Sequence, residues 1–103
     1  AGVAPDLIDV DPGIGFGKTT AHNTELLRRL NEIVALGHRV VIGVSRKSFI
    51  GRIADAAEPR DRVPGTIAAN VIAYERGARI FRVHDVEAAV QALAVAAATL
   101  DGR

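Results

Sequence analysis

The sequence predicts an α/β fold built from parallel β/α units that form part of a larger barrel. Three short apolar runs, at residues 7–10, 40–44 and 80–81, each end in a polar cluster and precede a stretch with helical spacing of apolar residues. Strands that alternate with helices pair in parallel and connect by right-handed crossovers. Three units are too few to close a TIM-type (β/α)8 barrel, which takes about 250 residues. They fit the last three strands of such a barrel, so we expect a partial barrel.

The first unit should contain a strand at residues 6–11 and a helix at residues 19–36. The strand is apolar on both faces apart from Asp9, whose carboxylate either faces a barrel interior or pairs with a cation. Thr19 or Thr20 can cap the helix, and Gly37 provides the left-handed residue that ends it. The apolar stripe of this helix consists of Leu26, Leu27, Leu30, Ile33 and Val34.

The second unit should contain a β-branched, buried strand at residues 39–44 and two helices. One helix is predicted at residues 47–56. An extra helix before the next strand is predicted at residues 66–76, where Gly77 ends it. Residues 58–65 are polar and contain two prolines, which predicts a loop.

The third unit should contain a strand at residues 79–83 and a final helix that runs from Asp85, its cap, to about Leu100. No linker divides the chain and it contains no Met, so we expect residues 1–103 to be a single segment of a longer protein. The buried stripe predicted for the final helix consists of Val86, Val90, Leu93, Ala97 and Leu100.

Composition excludes several classes of protein. The 103 residues are 49% apolar and 24% charged, which is typical of a folded globular chain. A net charge of +1 provides no bulk attraction to nucleic acid or to a membrane surface. The absence of cysteine excludes disulfides and thiolate metal sites. No apolar run approaches the roughly 20 residues that span a bilayer, and no signal peptide opens the chain, so we expect a cytoplasmic protein.

The glycine-rich sequence DPGIGFGK at residues 11–18 follows the first strand and opens the first helix. Its glycines allow a flat ligand to approach the backbone, and Asp11 at the strand tip can accept two N–H bonds from a guanidine-like ring edge. The alternative is a nucleotide-binding phosphate loop at residues 13–19. That motif needs Gly, four residues and then Gly-Lys-Ser/Thr, and here the loop is one residue short.

The second cluster, SRKS at residues 45–48, lies directly after the buried strand and at a helix start. A solvated basic turn is the simplest interpretation. The position of the cluster favours a binding site instead, because Ser48 and neighbouring N–H groups can receive an anion. Lys47 adds a charge that can reach into the mouth of the sheet.

The third cluster places Arg82 and His84 on one face of a strand, because strand side chains alternate. The two suit a phosphate or pyrophosphate, and with Lys47 one strand away they should surround a single anion. The alternatives are an ion pair between Arg82 and a carboxylate on a neighbouring strand, and a buried hydrogen-bonded ring for His84.

The other histidines do not predict a site. His22, early in the first helix, is expected to be a capping or packing residue, and His38 is expected to be solvated. No set of His, Asp and Glu has the spacing of metal ligands.

Taken together, the loops resemble those of dihydropteroate synthase, a family of folate-pathway enzymes. Order and spacing both fit, and the match runs nearly end to end through this chain. It covers only the carboxyl-terminal portion of the family's barrel. The matching pieces are DPGIGFGK at 11–18 with HN at 22–23, SRKSFIG at 45–51, GT at 65–66 with Ala68, GA at 77–78 and RVHDV at 82–86.

The resemblance implies a pterin-binding TIM barrel that joins 6-hydroxymethyl-7,8-dihydropterin pyrophosphate to 4-aminobenzoate, giving 7,8-dihydropteroate and pyrophosphate. It implies a transferase of folate biosynthesis that is a sulfonamide target, forms a homodimer and uses magnesium held by residues outside this chain. The isolated segment is expected to be inactive, because the family's first strands, its amino-terminal loops and its magnesium-holding Asn are not in this sequence.

Position by position, the resemblance also implies roles for particular side chains. Asp11 resembles the acceptor for the pterin ring. Lys47 resembles the cation that contacts the pterin and borders the aminobenzoate pocket. Phe16 and Ser48 resemble aminobenzoate contacts, with Ser48 meeting the carboxylate of that substrate.

Arg82 and His84 resemble the anion site for the pyrophosphate, and Arg82 also resembles a residue that lies against the pterin. The resemblance implies no acid or base catalyst and no metal ligand within this chain.

Overall fold

The computed structural model describes residues 9–15, 19–37 and 39–102, with the backbone alone at positions 9 and 10. The predictions for Phe16, His38, the side chain of Asp9 and the start of the first strand lie outside the described residues.

Short strands alternate with helices along the described part of the chain, and none of the described helices is long and apolar enough to cross a membrane. The strands are β1 (Asp9–Val10), β2 (Arg39–Ile42) and β3 (Ile80–Phe81). The helices are α1 (Thr20–Arg28), α2 (Leu30–Val34), α3 (Ser48–Ala54), α4 (Val63–Glu75) and α5 (Val86–Asp101). A 3-10 helix at Pro59–Arg62 leads into α4.

The three strands form a sheet in the order β1-β2-β3, and both neighbouring pairs are parallel. Asp9 pairs with Arg39 on one side of β2, and Ile42 pairs with Phe81 on the other. The predicted parallel pairing is confirmed, as is the extra helix between β2 and β3. Because the strands share one direction, their carboxyl ends lie at one edge of the sheet.

A buried core lies between the sheet and the helices. Val40, Ile42 and Val44 are at most 1% exposed, as predicted for a buried parallel strand. The stripe predicted on the first helix also faces inward, with Leu27 and Leu30 buried and its other members half-buried. The buried cluster comprises Ile14, Leu27, Leu30, Val40, Ile42, Val44, Phe49, Ile50, Ala69, Ala73 and Ala78.

The single helix predicted at residues 19–36 is wrong in one respect, because it is divided at Arg29. Arg29 has φ −101° and ψ 15°, and the amide of Glu32 donates to the Arg29 carbonyl at 3.0 Å. That i to i+3 spacing is a 3-10 turn, which tightens the helix locally. No Gly or Pro stands at this point to signal the break. Gly37 has the left-handed φ of 93° predicted for the residue beyond the helix.

The loop predicted at residues 58–65 is instead largely helical. Pro59 lies in the first turn of the 3-10 helix, and Pro64 lies in the first turn of α4. Proline is tolerated there because a first-turn amide has no acceptor within its own helix. The two prolines therefore start helices and do not mark a loop.

Helix α5 buries a different stripe from the predicted one. Ala89 and Ala96 are buried, whereas Val86 and Val90 are 60% and 62% exposed, and Leu100 is also exposed. Helix α5 packs against α4, and small alanine side chains allow two helices to approach closely. Hydrophobic spacing alone favoured the larger side chains.

Candidate functional site

Polar side chains that follow the three strands meet at the carboxyl edge of the sheet. Asp11 follows β1 and contacts Arg82, which follows β3. A cavity of about 300 Å³ opens beside this contact. The residues that line it are Gly43, Ser45, Lys47, Arg82, Val83 and His84.

Asp11 holds two donors at once. Its Oδ1 accepts from the Gly13 amide at 2.9 Å, and its Oδ2 accepts from Nη2 of Arg82 at 2.5 Å. Burial acts to raise the pKa of Asp11, but the Gly13 amide, the Arg82 guanidinium and the Lys47 ammonium outweigh it and lower the pKa below its ordinary value. The carboxylate is therefore ionised at neutral pH. The ion pair considered as the alternative for Arg82 is present.

Lys47 lies across the glycine-rich segment that follows Asp11. Its Nζ donates to the carbonyl of Ile14, and a Cβ added to Gly15 would lie 2.5 Å from Cδ of Lys47. Gly15 also has a φ of 92°, in the left-handed region. The buried side-chain oxygen of Asn23 accepts from the Gly15 amide at 2.7 Å and ties the segment to α1. Any larger residue at position 15 would displace Lys47.

Gly43 makes room for the guanidinium of Arg82. A Cβ added to Gly43 would lie 2.5 Å from Nη2 of Arg82. The guanidinium therefore crosses directly over the backbone at the end of β2. Sequence reasoning missed this glycine, although a glycine at the end of a buried strand is a signal for close approach of another group.

Ser45 also belongs to the site, although the sequence analysis named it only as part of the cluster at residues 45–48 and gave it no role. It is 9% exposed, and its Oγ accepts from the His84 backbone amide at 3.1 Å and lies 2.7 Å from Nδ1 of the His84 ring. The hydrogen-bonded ring considered for His84 is present, but the residue is exposed, not buried. The available signal was the place of Ser45 immediately after a buried strand.

Arg46 joins the loops that follow β2 and β3. Its guanidinium binds Asp85 through two bonds, from Nε at 3.1 Å and from Nη2 at 2.5 Å. Its amide donates to Oγ1 of buried Thr66 at 2.9 Å, and its carbonyl accepts from Arg62 at 2.9 Å. Arg46 has a φ of 58°, which is uncommon for a residue with a side chain and is stabilised here by these bonds. The arrangement fixes the backbone immediately before Lys47.

Asp85 stands at the predicted cap position of α5, but the prediction that its side chain caps the helix is wrong. Asp85 precedes the helix but makes no side-chain cap bond, because its carboxylate is bound by Arg46. The hydrogen bond from Arg46 lowers the pKa of Asp85, and the same contact raises the pKa of Arg46. A two-point bond to a guanidinium is stronger than a bond to a neutral amide.

Ser48, which the resemblance assigns to the aminobenzoate pocket, is not among the described residues that line this cavity. Ser48 is exposed at the first position of α3, and Phe16 lies outside the described residues. His22 is exposed on α1, and its amide donates to Oγ1 of Thr19 at 3.1 Å. The cap predicted at Thr19 is confirmed.

The described ranges contain no group of three or more His, Asp or Glu side chains arranged to hold a metal ion. The two carboxylates nearest the strand ends, Asp11 and Asp85, are each bound by an arginine. These residues do not fit a magnesium site.

The chain matches a known family over most of its length. The family model described as pterin binding enzyme matches residues 1–84, and the chain belongs to this family. Dihydropteroate synthase from Synechocystis sp. is 53% identical over 95 residues, which cover 92% of this chain and 33% of that protein. Dihydropteroate synthase from Escherichia coli (strain K12) is 44% identical over 103 residues, 100% of this chain and 36% of that protein. The chain spans about a third of the length of the curated relatives it matches.

Solved structures match the same fold. The crystal structure of Yersinia pestis dihydropteroate synthase superposes with a TM-score of 0.91 at 42% identity, covering 97% of this chain and 47% of that chain. The Thermus thermophilus enzyme in complex with 4-aminobenzoate has a TM-score of 0.85 at 52% identity, covering 87% of this chain and 35% of that chain. The parallel α/β fold therefore matches dihydropteroate synthases over part of their length.

Proposed function

We propose that this chain is the carboxyl-terminal part of a dihydropteroate synthase and forms the last three strands of its (β/α)8 barrel. The proposed reaction joins 6-hydroxymethyl-7,8-dihydropterin pyrophosphate to 4-aminobenzoate and releases pyrophosphate. The observation that carries the proposal is the meeting of Asp11, Lys47, Arg82 and His84 at the carboxyl edge of three parallel strands. Related structures in complex with 4-aminobenzoate and with 6HMPPP support it.

Asp11 is the proposed acceptor for the pterin ring. An ionised carboxylate can accept two N–H bonds from the guanidine-like edge of a pterin. One oxygen of Asp11 currently holds the guanidinium of Arg82, which is the same chemical group. A pterin would take over this oxygen and release Arg82 to lie against the ring. Lys47, whose stem crosses Gly15, would contact the pterin from the neighbouring strand end.

Arg82 and His84 are the proposed binding groups for the pyrophosphate. In the reaction the amine nitrogen of 4-aminobenzoate bonds to the methylene carbon, and the bond from that carbon to the pyrophosphate oxygen breaks. The amine loses a proton, and the pyrophosphate leaves with the electron pair. Donors placed around the leaving group stabilise the charge that develops there, and Lys47 adds a further positive charge on the same cavity.

The remaining contacts of the full-length enzyme also belong to this proposal. Phe16 and the hydroxyl of Ser48 would contact 4-aminobenzoate, the latter at its carboxylate. Magnesium, which neutralises pyrophosphate charge when bound, would be held by residues outside this chain. We further propose that the full-length protein is a cytoplasmic homodimer and that sulfonamides compete for its aminobenzoate pocket.

The alternative function, nucleotide binding by a phosphate loop at residues 13–19, is not favoured by the described residues. Such a loop binds phosphates through its backbone N–H groups. The amide of Gly13 donates to Asp11, and the amide of Gly15 donates to Asn23. Two of the required donors are therefore already bound to side chains.

Formation of 7,8-dihydropteroate by the full-length protein tests the proposed function. Lys47→Ala and Arg82→Ala each remove one charged donor from the cavity, and each should lower turnover by about a hundredfold or more while the fold persists. Arg52→Ala, at an exposed position on α3, is the matched control and should retain both turnover and melting temperature. Normal turnover in both cavity variants would contradict the proposal.

A further inference from the structure

A buried serine is hydrogen-bonded to the ring of His84 at the edge of the cavity. Ser45 Oγ is 2.7 Å from Nδ1 of His84 and 3.1 Å from its backbone nitrogen. In the part of the chain that the structure describes, the partners of the Ser45 oxygen are the backbone nitrogen and the ring Nδ1 of His84. Both contacts therefore join the end of β2 to the segment that follows β3.

The hydrogens available at this contact indicate which ring nitrogen is protonated. A serine hydroxyl has one hydrogen to donate and two lone pairs to accept. The His84 backbone N–H can only donate, so it takes one lone pair. If Nδ1 also carried a hydrogen, it would take the other lone pair, and the hydroxyl hydrogen of a residue that is 9% exposed would have no acceptor.

The opposite arrangement satisfies every group. If Nδ1 has no hydrogen, it accepts the Ser45 hydroxyl hydrogen while Ser45 accepts the backbone N–H. The hydrogen bond made by one ring nitrogen of histidine sets the state of the other. The ring hydrogen of neutral His84 is then on Nε2, and this is the nitrogen that remains for a ligand in the cavity.

We infer that Ser45 is a positioning residue that holds His84 in the Nε2–H form, so that the ring donates a hydrogen bond to the pyrophosphate. The inference rests on the proposed function, because His84 lines the cavity proposed for pyrophosphate together with Lys47 and Arg82. Ser45 acts through His84 and does not itself need to touch the substrate. Because Ser45 binds both the ring and the backbone amide of His84, it fixes the ring's orientation as well as its hydrogen.

NMR of the full-length protein labelled with ¹⁵N-histidine tests the inference. The ring ¹⁵N signals of His84 are assigned by their loss in His84→Gln. At a pH at which the His84 ring is neutral, we expect the wild-type ring to carry its hydrogen on Nε2. Ser45→Ala should give a mixture of the two neutral forms. Thr99→Ala removes a hydroxyl at an exposed position of α5 and should leave the His84 signals and the pyrophosphate affinity unchanged.

Pyrophosphate affinity, measured by calorimetry on the same proteins, supplies a second readout. Ser45→Ala should weaken pyrophosphate binding about tenfold, because the ring donor is present for only part of the time and is no longer oriented. A wild-type ring with its hydrogen on Nδ1 overturns the inference. So does a Ser45→Ala variant that keeps the wild-type signals and affinity.

The inference and the proposed function fail separately. A protein that forms no dihydropteroate, yet shows a Ser45-dependent Nε2–H ring and Ser45-dependent pyrophosphate binding, would retain the inference and lose the reaction. A protein that forms dihydropteroate with His84 protonated on Nδ1 would retain the reaction and lose the inference.

Discussion

Each charged side chain at the edge of the sheet is held in place by another part of the chain. Arg82 binds Asp11 and crosses Gly43, and Lys47 binds a backbone carbonyl beside Gly15. These contacts keep both cations beside the cavity, and in the proposed function a pterin that takes the Asp11 oxygen would free the Arg82 guanidinium for the ligand. The arrangement therefore suits the transfer of a highly charged group such as pyrophosphate.

Acid should destabilise the protein through Asp11 and Asp85. The pKa of Asp85 is lowered by Arg46, and at Asp11 burial, which raises the pKa, is outweighed by the Gly13 amide and Arg82. In the unfolded chain both carboxyls titrate near the ordinary value of about 3.9. The unfolded state thus binds protons first as pH falls, so the free energy of unfolding should decrease as pH drops through about 4.

Denaturant unfolding of the full-length protein between about pH 3 and pH 6 measures this dependence. Asp85→Asn removes one of the two carboxyls and should make the free energy of unfolding less sensitive to acid. Asp61→Asn, at an exposed position of the 3-10 helix, is the control and should keep the wild-type slope. An Asp85→Asn slope equal to that of wild type would argue against the stabilising role of the Arg46 pair.

At the scale of elements, local signals predicted the order and direction of the strands and the presence of the extra helix. The β-branched runs that predict the strands are local in sequence, and so are Gly37 and Gly77, the left-handed residues that end helices. Such local signals can be read from the sequence without knowledge of long-range contacts. The choice of Arg46 as the partner of Asp85 joins residues 39 positions apart and follows no local pattern. The lost cap of α5 is a consequence of that long-range contact.

The candidate site divides in the same way. The rule that parallel strands end at one edge predicted the meeting of Asp11, Lys47, Arg82 and His84. The contributions of Gly43 and Ser45 depend on which side chains after β3 reach the residues that follow β2. Those contacts are set by packing between strands, which hydrophobic periodicity does not report.

The turn after β1 allows a test with two glycines of nearly equal backbone geometry. Gly15 and Gly37 have φ of 92° and 93°, so alanine at either position should cost about 1 kcal/mol or more in stability. A Cβ at Gly15 would lie 2.5 Å from Cδ of Lys47, whereas nothing lies within 4 Å of one at Gly37. Only Gly15→Ala should therefore also displace Lys47.

We expect turnover of the full-length protein to fall by about a hundredfold in Gly15→Ala, because small displacements of a binding group reduce turnover strongly. Gly37→Ala should lose stability but keep turnover. Thermal melts and the dihydropteroate assay separate the two effects. Equal losses of turnover in the two variants would show that turnover does not depend on the position of Lys47.

At the scale of the whole molecule, the chain leaves much apolar surface uncovered. The outer edges of β1 and β3 have no strand partner among the described residues. An exposed sheet edge and exposed apolar side chains both favour association. The large apolar side chains exposed on the described surface are Leu36, Ile53, Ile72, Val86, Val90, Val95 and Leu100.

The 103-residue chain on its own should therefore self-associate and show no synthase activity. Sedimentation velocity over a range of concentrations measures the association, with the full-length protein under the same conditions as the control. A concentration-independent monomer with a cooperative melt would contradict this expectation, and it would show that three β/α units are sufficient for a stable fold.

The most direct test of the proposed site is a crystal structure of the full-length protein with 6-hydroxymethyl-7,8-dihydropterin pyrophosphate bound. We expect the guanidine-like edge of the pterin to bind Asp11, Arg82 to leave Asp11 for the ligand, and the pyrophosphate to lie within hydrogen-bond distance of Arg82 and His84. A pterin bound away from Asp11, or a pyrophosphate beyond the reach of both Arg82 and His84, would contradict the assignment.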